Sequence, residues 1–344
     1  KAEIRAWGGD LMKEQGAELV KHYRELAFMG FIEVLANLRT ILRNMRFCKR
    51  DIQEWKPDVV ILVDYPGFNL RIAEFAKKEG LKVVYYISPK IWAWKKSRVY
   101  KIKKYVDKML VIFPFEKEFY AKYGYSVEYV GNPLLDSLDN LKDDEQSFRK
   151  KNNLSDLPII ALLPGSRKQE IEKMLSKMMS VIDDFPNHQF AIAGAPAIPD
   201  DFYQNIIQAK KVSLIKDNTP QLIKFSDAAL VASGTATLET ALLETPEVVC
   251  YRMNTITYRI AKLVVKVPYI SLVNLIMDKE VVKELIQEEL NTANLREELN
   301  MILYNSERRK SIADDYKALK VKLGNGGASD KAAESITRFI KVIN

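Results

Sequence analysis

The chain predicts an α/β protein built as two open, parallel units in tandem. Three observations carry that expectation. Short runs of β-branched and aliphatic residues recur along the chain; each is followed by a turn and a helix-length segment; and a charged stretch without strand character, residues 139–156, separates two such series. With 344 residues, 47% of them hydrophobic and 28% charged, there is enough apolar mass for two cores. The boundaries follow as 1–150, 151–320, and a C-terminal helix over 321–344 that packs back on the first unit.

Residues 2–7 read as a strand ended by Gly8-Gly9, and a chain that enters its sheet there implies a strand and helix ahead of it. Residues 28–50 form an amphipathic helix. Phe28, Met29, Phe31, Ile32, Val34, Leu35, Leu38, Ile41, Leu42, Met45 and Phe47 make a wide apolar face, and Arg39, Arg43, Arg46, Lys49 and Arg50 gather toward its end. Such a helix suits a membrane surface or an acyl chain, and equally a core position with a solvated basic side. Val59–Val63 has the composition of a strand buried on both faces, closed by Asp64-Tyr65-Pro66-Gly67, and a helix over 70–79 stops at Gly80. Further strands are predicted at 82–87, 108–112 and 127–130. After the charged stretch they resume at 159–163, 189–193, 212–215, 228–232 and 248–251. Two such units place strand carboxyl ends along a cleft, which is where open α/β sheets bind ligands.

The net charge of +8 points to an acidic partner: nucleic acid, anionic lipid or a phosphorylated substrate. Cys48 and Cys250 stand in unrelated contexts, so a disulfide framework or zinc cluster is not expected, and a reducing compartment is. No apolar run approaches the roughly 18–20 residues that cross a bilayer, and no signal peptide is present. His22 and His188 are the only histidines, and no Asp-x-Asp pair closes a strand, which disfavours a metal site. No Gly-x-Ser-x-Gly elbow occurs, and Ser166 has no identifiable histidine partner, so a Ser-His-Asp hydrolase is not expected.

Leu162-Leu163-Pro164-Gly165-Ser166-Arg167-Lys168 carries the strongest chemical signal: strand, tight turn, helix N-terminus. A helix start favours anions through its unpaired N–H groups and dipole, and Arg167 adds a planar fork suited to a diphosphate. An ordinary turn with a solvated arginine reads the same way. Ser233-Gly234-Thr235-Ala236-Thr237-Leu238-Glu239 repeats the pattern with small residues, and Glu239, a turn into its helix, could accept bonds from vicinal hydroxyls of a ribose or simply stabilise the helix start. Together the two turns fit a nucleotide better than either alone. Asp64, just past an apolar strand, is placed to take a proton or to cap the next helix, and Asn69 to fix a hydroxyl or start that helix. Ile91-Trp92-Ala93-Trp94-Lys95-Lys96-Ser97-Arg98 suits a headgroup layer, a sugar or a base.

Read together, several motifs make the chain resemble the lipid-A-disaccharide synthases. They are Ala27-Phe28-Met29-Gly30-Phe31-Ile32-Glu33-Val34-Leu35, Asp64-Tyr65-Pro66-Gly67-Phe68-Asn69, Ser88-Pro89-Lys90-Ile91-Trp92-Ala93-Trp94, Phe113-Pro114-Phe115-Glu116, the two turns above, Tyr251-Arg252-Met253 and Ser271-Leu272-Val273-Asn274-Leu275. The likeness runs from about residue 7 to about residue 289. It implies a GT-B glycosyltransferase: two Rossmann-like domains with parallel sheets facing a central cleft. It implies transfer of 2,3-diacylglucosamine from its UDP carrier to 2,3-diacylglucosamine 1-phosphate, without metal or other cofactor, at the cytoplasmic face of the Gram-negative inner membrane. The partners it implies are the acylated UDP-sugar donor, the acylated sugar-phosphate acceptor, a membrane surface met through 28–50 and, in some arrangements, a second copy of the chain; nucleic acid is not among them. The family's N-terminal Gly-Glu-Ala-Ser-Gly-Asp motif has no counterpart here, and Val273 stands where members usually carry proline.

Carried over by position, the resemblance makes Asp64 the general base and assigns Arg167 and Asn274 to the nucleotide site, with Arg167 on the diphosphate. Gly165, Ser166, Ser233, Gly234 and Thr235 then fall near the phosphates, Glu239 at the ribose, and Arg252 and Gln287 on the same donor side. The rival expectations are another UDP-sugar enzyme of this fold, an epimerase or a lipid-linked peptidoglycan transferase. A basic membrane-surface or nucleic-acid-binding protein is a further rival, although the charge is spread rather than concentrated.

Overall fold

A computed structural model describes residues 2–25, 37–94, 96–138, 141, 144–254, 258–259, 262, 265 and 267–343. The chain divides into two compact units, one of Lys1–Pro89 with Tyr100–Met109, the other of Lys90–Val99 with Leu110–Ile343. Within the second unit the C-terminal helix Ala328–Ile343 is anchored on residues 128–136. Asp136 accepts the N–H groups of Gly327 and Ser329, Ser335 Oγ donates to Glu128 at 2.6 Å, and Tyr129 Oη donates to the Leu323 carbonyl at 2.6 Å. Within 139–156 itself lies a short helix, Glu145–Lys151, whose start is capped by Asp144 accepting the Ser147 N–H at 2.9 Å.

In the first unit β1 (Arg5–Gly8) pairs in parallel with β2 (Glu18–His22), and β3 (Val59–Val63) with β4 (Lys82–Tyr86). The helix Leu38–Trp55 lies against β1: the Trp7 ring is 5.5 Å from Phe47, and Arg5 donates to Asp51 at 2.8 Å and 3.0 Å. Residues 28–36 of the expected amphipathic helix lie outside the described residues. β3 differs from its expected burial. Val60 and Leu62 are buried, but Ile61 and Val63 are 45% and 48% exposed, so only one of its faces is covered.

In the second unit Leu110 and Val111 of β5 (Lys108–Val111) pair in parallel with β6 (Glu128–Tyr129), and a six-stranded parallel sheet follows. The sheet is built from β7 (Ile159–Leu163), β8 (Gln189–Gly194), β9 (Val212–Lys216), β10 (Ala228–Ala232), β11 (Glu247–Tyr251) and β12 (Lys283–Ile286). Their order is β12-β11-β10-β7-β8-β9, so the direction of winding reverses between β7 and β10. Every residue of β7 is buried, as expected of a central parallel strand with helices on both faces. The sequence reading missed β2 and β12. Both are short and carry charged residues (Glu18, Lys21; Lys283, Glu284), which hides the apolar run of a buried strand. Among the described residues no helix is long and apolar enough to cross a membrane.

Candidate active site

The two turns singled out from sequence are neighbours in space. β7 and β10 pair through Leu162↔Leu230 and Leu163↔Val231, so the turn at 164–167 and the turn at 233–234 leave adjacent strands at the same edge. That edge is the carboxyl end of the sheet at its winding reversal, where the two connections diverge to opposite faces and leave a crevice between them.

After β7 the chain turns on Gly165 at φ +108°, where a Cβ would come within 2.8 Å of Glu170 Oε2 and 3.1 Å of Glu170 Cβ. Backbone conformation and space therefore both call for glycine here. Arg167 stands at the start of the helix Lys168–Met178 in extended conformation; its carbonyl accepts from Glu170 and Ile171, each at 2.9 Å, while the N–H groups of Lys168 and Gln169 have no partner inside the helix. Its guanidinium is 57% exposed and meets Glu170 at 3.0 Å. An exposed pair of this kind is worth about 0–1 kcal/mol.

After β10, Ser233 Oγ donates to the Ile270 carbonyl at 2.9 Å, and Thr237 Oγ1 donates to the Gly234 carbonyl at 2.9 Å. A Cβ on Gly234 would meet no atom within 4 Å, so packing does not require glycine, and the space beside its backbone is open. Thr235 begins the helix Thr235–Leu242 and is exposed. Glu239 is half-buried in that helix, and no hydrogen bond or ion pair engages its carboxylate among the described residues. Burial pushes its carboxyl up from the ordinary range. A partly desolvated acceptor without donors is a ready ligand for hydroxyls.

Arg252 follows the end of β11, half-buried. Gln287 follows β12 in a left-handed conformation (φ +55°), 7% exposed, with Oε1 3.4 Å from the Met253 N–H and Nε2 without a hydrogen-bond partner among the described residues. A buried orphan donor on a strained backbone marks a place where a ligand atom would complete the bonding. Thus Gly165, Ser166, Arg167, Ser233, Gly234, Thr235, Arg252 and Gln287 all follow the carboxyl ends of the adjoining strands β7, β10, β11 and β12.

Asn274 stands apart from them. It is fully buried in the helix Leu272–Met277, and both ends of its amide are committed: Nδ2 donates to Val282 O and Glu284 Oε1, and Oδ1 accepts from Val281 and Val282. In this arrangement it braces the 270–284 segment and offers no free group to a nucleotide.

Asp64 lies in the other compact unit, exposed at the carboxyl end of β3. Asp64 and Tyr65 are consecutive left-handed residues (φ +44° and +43°). Their conformation is held by backbone bonds: the Asp64 N–H donates to Tyr86 O at 3.0 Å, and the Asp64 carbonyl accepts from Asn69 Nδ2 at 2.8 Å and from the Tyr85 hydroxyl. Asn69 also donates to Val63 O at 2.9 Å, so it shapes the turn that presents Asp64. Non-glycine residues in this region cost about 1–3 kcal/mol each and persist where the surroundings fix them, commonly at functional sites.

The tryptophans of the 91–98 stretch part company. Trp92 is core: 7% exposed, its indole N–H donating to the buried Glu116 at 3.2 Å, its ring edge-on to Phe115 at 5.0 Å. Trp94 is 47% exposed, with Arg98 5.8 Å from its ring. Among the described residues no group of three or more His, Cys, Asp or Glu side chains is placed to hold a metal ion.

Comparison with known proteins adds the following. The family model described as lipid-A-disaccharide synthetase matches residues 1–339. The lipid-A-disaccharide synthase of Myxococcus xanthus (strain DK1622) is 39% identical over 340 residues, 97% of this chain and 88% of its own length. Among solved structures, UDP-GlcNAc 2-epimerase from Neisseria meningitidis bound to UDP-GlcNAc superposes with a TM-score of 0.64 at 15% identity, over 98% of this chain and 91% of that one. The calicheamicin glycosyltransferase CalG4 gives a TM-score of 0.59 at 14% identity, over 96% and 88%. At these identities the last two are likenesses of fold alone.

Proposed function

Because the chain belongs to the lipid-A-disaccharide synthase family, an α/β family of GT-B glycosyltransferases, we propose how its residues divide that reaction between them. Asp64 takes the proton of the acceptor 6-hydroxyl as that oxygen attacks the anomeric carbon of the UDP-linked 2,3-diacylglucosamine. The bond from the anomeric carbon to the diphosphate oxygen breaks, configuration inverts, and UDP leaves. General-base assistance of this kind supplies about 10²- to 10⁴-fold. Arg167, the N–H groups of Lys168 and Gln169 and the open backbone at Ser233-Gly234-Thr235 receive the charge that grows on the departing diphosphate. Glu239 accepts the ribose hydroxyls, and Gln287 and Arg252 complete the donor side.

The reading is supported chiefly by the winding reversal between β7 and β10, which brings the diphosphate and ribose candidates to one crevice. The acceptor is an acylated sugar phosphate, and the protein works at the inner face of the inner membrane. In support, the helix Leu38–Trp55 exposes Leu38 (45%) and Leu42 (41%) beside the exposed Arg39, Arg43 and Arg46, a surface suited to anionic headgroups. The test is UDP release from UDP-2,3-diacylglucosamine with diacylated and non-acylated sugar phosphates. Turnover with the diacylated acceptor alone is expected. Preference for the non-acylated acceptor, or conversion of the donor with no UDP released and no acceptor required, would replace this reading with a different transferase or an epimerase.

A further inference from the structure

Glu284 was not among the residues that sequence reading singled out, yet it is the hub beneath the donor crevice. It lies on β12, 9% exposed, and its two oxygens accept three donors at 2.9 Å: Ile270 N–H on Oε2, Ser271 N–H and Asn274 Nδ2 on Oε1. Ile270 passes the constraint on, since its carbonyl accepts the Ser233 hydroxyl at 2.9 Å. Leu272 adds a second link, its N–H directed at Thr237 Oγ1 at 3.3 Å, while that hydroxyl donates to Gly234 O at 2.9 Å. Ser271, whose N–H Glu284 holds, caps the helix Leu272–Met277 by accepting the Asn274 N–H at 3.2 Å. Glu284 thus holds Ile270 and Ser271 directly, and through the Ile270 carbonyl it reaches Ser233.

We propose that Glu284 is a positioning residue for the donor diphosphate, acting through Ile270 and Ser233 to hold the Ser233-Gly234 turn in its binding conformation. The inference rests on the nucleotide reading given above. The chemistry is specific to a carboxylate. Both ends of the side chain face donors, so it must accept at both ends and donate at neither. Glutamine has the same shape but turns one end into an NH₂ group, which meets an N–H donor in either orientation. A buried, mismatched donor of that kind is costly, and the 270–271 backbone would move to relieve it. Aspartate keeps two acceptors on a shorter stem and restores part of the contact.

The test is a double-mutant cycle between Glu284→Gln and Ser233→Ala, read by UDP dissociation constant, donor and acceptor KM, and cooperative thermal unfolding. The expected result is a rise of about tenfold in UDP Kd and donor KM for Glu284→Gln, a smaller rise for Glu284→Asp, and acceptor KM within twofold of wild type. In the Ser233→Ala background the same change should raise UDP Kd less than threefold, because the route through Ile270 and Ser233 is already cut and only the longer link through Leu272 and Thr237 is left. A full tenfold effect in both backgrounds would show that Glu284 does not act through Ser233, and unchanged UDP affinity in a folded Glu284→Gln protein would overturn the proposal outright. If Glu284→Gln does not fold, Glu284→Asp decides by the same comparison. Should Ser233→Ala and Arg167→Ala both leave UDP binding unchanged, the nucleotide reading itself fails, an outcome separate from failure of Glu284 alone.

Discussion

Replacing Asp64 by asparagine isolates the carboxylate because the turn around it is fixed by the backbone. The N–H bond to Tyr86 and the two bonds accepted by the Asp64 carbonyl, from Asn69 and Tyr85, involve no atom that the substitution changes. Asparagine also tolerates φ near +44° as readily as aspartate. Asp64→Asn should therefore keep the turn, with UDP affinity within twofold. What it loses is the proton acceptor. The expected fall in kcat is 10²- to 10⁴-fold, equivalent to about 2.7–5.4 kcal/mol of transition-state stabilisation. Asp64→Ala separates the two roles of the position: an alanine held in the left-handed region costs about 1–2 kcal/mol, so this variant should lose activity and also unfold several degrees lower. Steady-state UDP release across pH, run beside thermal melts, provides the check. A wild-type rate for Asp64→Asn would refute the general-base assignment, and a large fall in its melting temperature would refute the backbone argument.

Other residues make sharper use of single assays. Glu239→Gln should weaken UDP binding and reduce its preference over 2′-deoxy-UDP, measured by calorimetric titration; an unchanged preference would remove Glu239 from the ribose. Gly165→Ala, with a Cβ forced against Glu170 at φ +108°, should destabilise the protein by about 1–3 kcal/mol and raise the donor KM. Glu247 is fully buried with neither carboxylate oxygen hydrogen-bonded among the described residues, and burial, with the nearby Glu284 charge adding to it, holds its pKa well above the ordinary range. The folded state thus binds this proton more tightly than the unfolded state, so stability is full at acidic pH and falls as pH rises, by at most about 1.4 kcal/mol per unit. Glu247→Gln should flatten that decline, seen as a melting-temperature advantage over wild type that widens as pH rises above the ordinary carboxylate range. Changing Arg39, Arg43 and Arg46 together to alanine should cut binding to phosphatidylglycerol vesicles at low salt by about 10²-fold, at roughly 1 kcal/mol per charge, and leave binding to neutral vesicles unaltered.

How much of this was legible in the sequence follows the range of the interactions involved. β7, β10 and the turns after them were readable because everything that defines them is local: apolar run, glycine or small residue, helix start. Their adjacency was not readable, since strand order is set by packing across the sheet. Trp92 looked like a recognition residue because tryptophan beside lysine and arginine suits an interface; only the fold shows Glu116 waiting for its indole N–H in the core. Gln287 was reachable by resemblance, but its orphan amide and left-handed backbone are properties of the folded state. Glu284 gave no local signal at all. Its partners lie 10 to 14 positions away and two of the three donors are backbone N–H groups, which carry no sequence identity.

The same distinction separates the two ends of the proposed reaction. At Asp64 the proposed base stands on a turn held through backbone atoms by Tyr86, Asn69 and Tyr85, and a conservative change of its side chain leaves those bonds in place. On the donor side the scaffold is made of side chains, with Ser233, Thr237, Asn274 and Glu284 each holding a main-chain group in place. Substitutions on that side change the shape of the turn as well as any contact with the ligand. A loss of UDP affinity there, taken from one variant, therefore cannot assign a residue to the nucleotide. Asn274 makes the point concretely: Asn274→Ala would remove four hydrogen bonds around the 270–284 segment and weaken donor binding without ever having touched the donor. Pairwise cycles, rather than single substitutions, are what separate contact from support on the donor side.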